Sequence, residues 1–296
     1  MPPRLSDRVL VTGASGQLGQ YLVHELVRRG VEPKAWSGQT LGEVAGVRLE
    51  AVSLADSGQL RAALEELQPS VIIHAGAMSA ADDVRRNPAL GRTINTDATM
   101  VLADWAGHRG ARLIYTSTDL VFDGSKAMWT EEDATNPLLE YGRTKSAAEP
   151  YVQAAPGGVV ARVSLLYGPT ITGRPSFFTT TLDAVRQGQS RQLFTDEWRT
   201  PLDYRTAAEV LCGLALDHTE VTGVLHLGGP ERISRYDLLL RSVRCLGLDA
   251  GLIVPALAAR TVMPEPRPQD VSLGTAKLRM LMPEIRLRTV EEVIYS

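Results

Sequence analysis

Val11-Thr12-Gly13-Ala14-Ser15-Gly16-Gln17-Leu18-Gly19 places three glycines in G-x-x-G-x-x-G spacing. The run before it, Arg8-Val9-Leu10-Val11-Thr12, is apolar enough for a buried strand. After it, Leu18, Tyr21, Leu22 and Leu26 recur at helical spacing through residues 17–29, with Glu25 interrupting the stripe and Gly30 placed to end the helix. Glycines let the backbone turn tightly and approach a pyrophosphate, which rests on the positive end of the helix. A glycine triplet alone also fits a tight turn with no ligand. Its position between an N-terminal strand and an amphipathic helix is what favours a dinucleotide.

The same alternation continues outward. Strands are predicted at 33–36, 71–74, 112–115 and 159–162, and helices at about 57–67, 96–108 and around Tyr141. This order, with short connections, predicts an α/β fold: a doubly wound parallel (Rossmann) sheet with helices on both faces. After Tyr167 the pattern changes, with Gly168, Pro169, Gly173 and Pro175 close together. Helices follow at about 177–187 and 205–216, then a strand at 223–227. Ser234 opens a further helix as N-cap, with Asp237 three residues on, and the three prolines of 263–268 require a loop. The expected division is a dinucleotide-binding domain of 1–162 plus about 203–229, and a smaller mixed α/β substrate lobe of about 163–202 plus 230–296.

Composition excludes several classes. The 296 residues are 44% hydrophobic and 22% charged, as in an ordinary globular protein. A net charge of -3 offers no basic surface to nucleic acid or an anionic membrane. No apolar run is long enough to span a bilayer. Met1 to Asp7 lead straight into a strand, leaving no room for a secretory leader, so the cytoplasm is expected. Cys212 and Cys245 sit in apolar helical patterns and read as buried free thiols. His24, His108, His218 and His226 lack ligand spacing, and no metal is expected.

A second constellation names the chemistry. Tyr141-Gly142-Arg143-Thr144-Lys145 sets a Tyr and a Lys four apart, on one helix face. Such a pair alone is common on helix surfaces. Here it follows Thr116-Ser117-Thr118-Asp119-Leu120-Val121-Phe122-Asp123-Gly124, whose strand-end hydroxyls can hold a carbonyl oxygen. A nearby ammonium lowers the cost of a phenol releasing its proton. The three groups suit proton transfer at an oxygen while hydride moves at its carbon.

With these residues in view, the chain resembles the extended short-chain dehydrogenase/reductase superfamily, and within it the dTDP-4-dehydrorhamnose reductases. The likeness covers Gly13 to Gly19, His74-Ala75-Gly76-Ala77, Asn95, Ser117 to Gly124, Tyr141 with Lys145 and Glu149, Arg162 to Gly168, and Arg267-Pro268 through Leu278. It implies Thr118, Tyr141 and Lys145 as the catalytic set. It implies a nicotinamide dinucleotide held by Gly13, Ser15, Gly16, Gln17, Leu18, Gly19, Ser37, Leu54, Ala75, Gly76, Ala77, Tyr141, Lys145, Ser164 and Leu165. Met78, Thr118, Asp119, Leu120 and Arg199 are then expected to face a sugar-nucleotide substrate. No acid follows the second strand at Ala35-Trp36-Ser37-Gly38, which favours NADPH, and no Arg stands beside Ser37, which keeps NADH open.

The departures are informative. Leu120 stands where the reductases carry Tyr and the dehydratases Glu, which argues against dehydration. Met78 replaces a frequent Tyr, and Ser53 a frequent Asp. Arg199 before Thr200-Pro201 suggests a diphosphate partner, against a surface ion pair, and Trp129 and Trp198 are candidates to stack on a base or to fill the lobe junction. The expectation is NAD(P)H-dependent reduction of a 4-keto-6-deoxy sugar nucleotide. Another sugar-nucleotide epimerase or reductase, and a regulatory subunit like that of methionine adenosyltransferase, are the alternatives; a homodimer is compatible with each.

Overall fold

The fold is taken from a computed structural model that describes residues 8–295. The reading of Met1 to Asp7 lies outside the described residues.

Strands β1 (Val9–Thr12), β2 (Lys34–Ser37), β3 (Gly42–Val44), β4 (Val47–Ala51), β5 (Val71–His74), β6 (Arg112–Thr118) and β7 (Gly158–Val163) form one sheet with a later strand. Helices α1 (Gln17–Arg28), α2 (Ser57–Leu67), α3 (Ala81–Arg86), α4 (Pro88–Arg92), α5 (Ala98–Arg109) and α6 (Glu140–Ala154) lie between them. Then come β8 (Leu166–Tyr167), α7 (Phe177–Arg186), β9 (Arg191–Phe194), β10 (Trp198–Arg199), β11 (Leu202–Asp203) and α8 (Tyr204–Leu216). The chain closes with β12 (Gly223–Leu227), β13 (Ile233–Ser234), α9 (Arg235–Cys245), β14 (Ile253–Ala256), α10 (Ala276–Leu281) and α11 (Val290–Tyr295). The eight-stranded sheet runs β12-β7-β6-β5-β1-β2-β4-β3. Each pairing is parallel except β3 with β4. The doubly wound expectation holds.

Alternation along the strands explains the two faces. Val9, Val11, Val71, Ile73, Ile114, Val159 and Ala161 face one way, onto α1 and α8. Leu10, Ile72, Leu113, Tyr115 and Val160 face the other, onto α2, α5 and α6. Glu25, which interrupts the α1 stripe, is buried and satisfied by Arg28 and Arg29. A third cluster, built from Tyr167, Phe178, Leu182, Leu238, Leu239, Val243 and Ile253, forms a core of its own around α7, α9 and the β9–β14 pair. The strand at 223–227 rejoins the main sheet beside β7. Leu278 and Met282 also pack on the α1/α8 face of the sheet.

Three features depart from the sequence reading. The β3–β4 hairpin was not foreseen; its Ala45-Gly46 turn has φ of 51° and 79°, the two-residue turn that suits strand twist. The short helices α3 and α4 were also missed. Between α4 and α5, Thr93–Asp97 forms a π-helical turn rather than the start of the α5 helix. Cys212 is fully buried, whereas Cys245 is only partly so; both thiols are free. Among the described residues no helix is long and apolar enough to cross a membrane, and no group of three His, Cys, Asp or Glu side chains could hold a metal.

Candidate active site

The C-terminal ends of β1, β2, β5, β6 and β7 open on one cleft of about 890 Å³. This is the crevice where strand order reverses, the usual ligand position in open α/β sheets. At one end lies the glycine turn. A Cβ on Gly13, whose φ is +71°, would sit 2.6 Å from the Gly76 backbone, and one on Gly19 would sit 2.0 Å from the Gly13 carbonyl. Two of the three glycines are therefore demanded by close packing of the chain on itself. Gly16 is the N-cap of α1, and the helix has neither a capping side chain nor an acid in its first turn. An uncapped N-terminus lining a cleft suits an anionic phosphate. These residues fit a dinucleotide, whose pyrophosphate Ser15, Gly16, Gln17 and Leu18 would hold.

Of the residues singled out from sequence, Gly13, Ser15, Gly16, Gln17, Leu18, Gly19, Ser37, Leu54, Ala75, Gly76, Ala77, Ser164 and Leu165 line this cleft. So do Thr118, Asp119, Leu120, Tyr141, Lys145 and Arg199. Met78 does not. Its backbone is held instead, its N–H donating to Asn95 Oδ1 (2.8 Å) and its carbonyl accepting from Asn95 Nδ2 (3.1 Å). The π turn aims Asn95 at this loop, and the same Nδ2 donates to Thr144 Oγ1 at 2.9 Å. Asn95 thus ties the loop after β5 to the first turns of α6. Trp129 stacks on Phe122 with Val271 and Leu273, and Trp198 lies under Arg232; both fill protein rather than line the cleft.

Tyr141 and Lys145 lie one turn apart on α6, beside the end of β6. Lys145 is 1% exposed, with Nζ 4.3 Å from the centre of the Tyr115 ring. Burial brings its ammonium down to about 7, against the opposing pull of Glu149 one turn further on. Tyr141 behaves differently from the sequence expectation. Burial and the Asp119 carboxylate push its phenol above the ordinary value, and only a hydrogen bond with Thr118 opposes them.

The hydroxyls at the end of β6 divide their work. Ser117 Oγ donates inward to Glu149 Oε1 (2.6 Å), and Arg162 Nη2 donates to Glu149 Oε2 (2.7 Å). Thr118 Oγ1 accepts from the Leu120 N–H (3.2 Å) and faces the cleft. Asp119 is buried between Arg199 (Nη1–Oδ1 2.9 Å) and Ser164, whose Oγ donates to Oδ2 at 3.1 Å. Arg199 is therefore neither exposed nor free: it is 2% exposed and paired, with Nε left without a partner in the structure. Arg235 lines the cleft beyond it, 3.4 Å from Glu197, which Arg267 also engages at 2.6 Å. Sequence reasoning missed Arg235, whose place beside the Ser234–Asp237 capping box marked only a helix start, and Arg174, Phe177 and Tyr204, which carry no local signal.

Two histidines near this core are held neutral. His74 lies between Thr12 Oγ1 (2.6 Å) and Thr99 Oγ1 (3.0 Å), and burial, then Lys145, brings it down to about 3. His226 falls to about 3 through burial and Arg162, opposed by its contact with the Trp129 carbonyl. An unfolded histidine titrates near 6.5. Between pH 6.5 and 3 the unfolded chain binds protons that the native state refuses, so stability falls as pH drops through that window. Urea midpoints measured from pH 7 to pH 4 should show this fall, and a His226→Gln variant should show a shallower one; an unchanged slope would rule His226 out as a contributor.

Comparison with known proteins follows the same lines. The chain is 32% identical over 282 residues to methionine adenosyltransferase 2 subunit beta of Bos taurus, covering 93% of this chain and 82% of that one. It is 32% identical over 275 residues to a probable dTDP-4,6-dihydroxy-2-methyloxan-3-one 4-ketoreductase of Streptomyces antibioticus, covering 92% and 88%. The crystal structure of a dTDP-4-dehydrorhamnose reductase from Clostridium acetobutylicum superposes with a TM-score of 0.86 at 26% identity, covering 97% of each chain. The pattern described as RmlD substrate binding domain matches residues 7–294, and the chain belongs to that family.

Proposed function

We propose that the protein is an NAD(P)H-dependent oxidoreductase that reduces the 4-keto group of a nucleotide-activated 6-deoxy sugar. The observation that carries this reading is the gathering of Thr118, Tyr141 and Lys145 in one cleft with the uncapped α1 N-terminus. When bound, a reduced nicotinamide supplies the hydride. Thr118 Oγ1 hydrogen-bonds the substrate oxygen and fixes its direction. Tyr141, protonated throughout the physiological range, donates its proton to that oxygen as negative charge develops. Lys145 places a positive charge behind the phenol at and below pH 7, where it favours the phenolate left by proton transfer. Arg199 and Arg235 suit the diphosphate of the substrate, because both guanidiniums line the cleft and bring positive charge to it.

The domain division of 1–162 plus about 203–229 against about 163–202 plus 230–296 belongs to this proposal, with the dinucleotide on the first part and the sugar nucleotide between the two. A cytoplasmic setting, where reduced dinucleotide is available, accords with it. The test is oxidation of NADPH or NADH, followed by absorbance, with a panel of dTDP- and UDP-linked 4-keto sugars. Turnover of a 4-keto-6-deoxy sugar nucleotide is expected; dinucleotide binding with no carbonyl substrate consumed would instead favour a regulatory subunit, the reading suggested by the likeness to methionine adenosyltransferase 2 subunit beta.

A further inference from the structure

The segment from Gly168 to Ser176 crosses from the second part of the chain onto the glycine turn. Tyr21 OH donates to the Pro169 carbonyl at 2.9 Å. Gln17 Nε2 donates to the Arg174 carbonyl at 2.9 Å and also to Thr170 Oγ1. The Arg174 N–H donates in turn to Thr172 Oγ1 at 3.0 Å. These bonds strap the segment across the first turns of α1. Its one long cationic side chain, the exposed Arg174, then reaches the loop after β2, where Nη2 donates to Thr40 Oγ1 at 3.0 Å. Ser37 commits its hydroxyl to the Thr40 carbonyl, which holds that loop in place.

The end of β2 is where a Rossmann fold meets the 2′ position of the adenosine ribose. Here Ser37, Gly38, Gln39 and Arg174 line the same end of the cleft. The other charged lining residues are Asp119, Lys145, Arg199 and Arg235, which lie at the catalytic and substrate end. No carboxylate among the described lining residues stands at the β2 end to repel a phosphate. A guanidinium held only by a threonine hydroxyl can exchange that neutral contact for a charge-assisted bond at little cost.

We infer that Arg174 is the residue that reads the 2′-phosphate of NADPH, supplied to the dinucleotide from the second lobe. The inference rests on the proposed nicotinamide-dependent function and adds to it a cofactor preference and its source. No Arg near Ser37 in the sequence selects the phosphate; the chain brings one to Thr40 from 134 residues away in the sequence.

The test is titration calorimetry on the intact protein with NADPH, NADH, 2′,5′-ADP and 5′-ADP, comparing wild type with Arg174→Ala and Arg174→Lys. A charge-assisted contact of this kind corresponds to about ten- to hundredfold in affinity. Arg174→Ala should weaken NADPH and 2′,5′-ADP by that factor and leave NADH and 5′-ADP within a few-fold. Arg174→Lys should keep part of the NADPH affinity. Equal losses for NADPH and NADH would place Arg174 on the pyrophosphate or in a purely structural role, and would overturn the inference, as would no loss at all. Wild-type protein that binds neither dinucleotide would overturn the underlying cofactor reading as well, so the two failures are distinguishable.

Discussion

Replacing Tyr141 by Phe is expected to lower kcat by about 10²–10⁴ while leaving dinucleotide affinity nearly unchanged. The ring of the phenol packs the same cleft wall in either residue, so binding surfaces persist. What disappears is the proton donor. Its phenol is held protonated by burial and by Asp119, so it keeps its proton until a strongly basic substrate oxygen takes it. The pH profile should carry a second signature. In the free protein the group titrating near neutrality is Lys145, at about 7, and not Tyr141. The alkaline limb of kcat/KM, which reports the free enzyme, should begin near pH 7 and follow Lys145. A Tyr141→Phe variant with near wild-type turnover would remove the phenol from the mechanism.

The largest effect on stability is expected at Glu149. Its carboxylate is 3% exposed, accepts from Ser117 Oγ and is paired with Arg162, which is 4% exposed. Removing one partner of a buried ion pair strands the other charge, at a cost of about 3–5 kcal/mol. Glu149→Gln strands Arg162, and it also removes the carboxylate that supports the Lys145 ammonium one turn back. Chemical denaturation of the variant should show a loss in that range. The sign of the accompanying pH effect follows. Glu149 raises the Lys145 value, so its loss moves the ammonium further below 7 and shifts the alkaline limb towards acid. A stability loss under about 1 kcal/mol would mean that the Arg162 pairing contributes little.

Much of this molecule can be read from local pattern because its parts are local. The β1 strand, the glycine turn and α1 are contiguous, and the periodicity switches from strand to helix within a few residues. The Tyr141–Lys145 spacing is likewise one helical turn. The β3–β4 hairpin escaped because its turn uses Ala45 at positive φ, a residue that rarely marks such a turn, and because Gly42 and Glu43 are exposed. Met78 does not line the cleft, and a linear motif cannot show that its backbone is held by Asn95, seventeen residues on. Arg199 reads from sequence as a diphosphate partner, against a surface ion pair; its buried pairing with Asp119, eighty residues earlier in the chain, is not legible there. Arg174 and Arg235 reach the cleft only through the packing of separate parts of the chain, and no local periodicity encodes that.

The π turn at Thr93–Asp97 makes length itself a constraint. Such a turn holds one residue more than an α-helical turn. Deleting that residue would let the backbone relax into a continuous α-helix, but each residue removed rotates what precedes it by about 100°. Asn95 would then leave both Met78 and Thr144, so the loop after β5 and the start of α6 would lose their common tie. A side-chain replacement there removes bonds singly, whereas a shortened chain would put the whole preceding segment out of phase with the site.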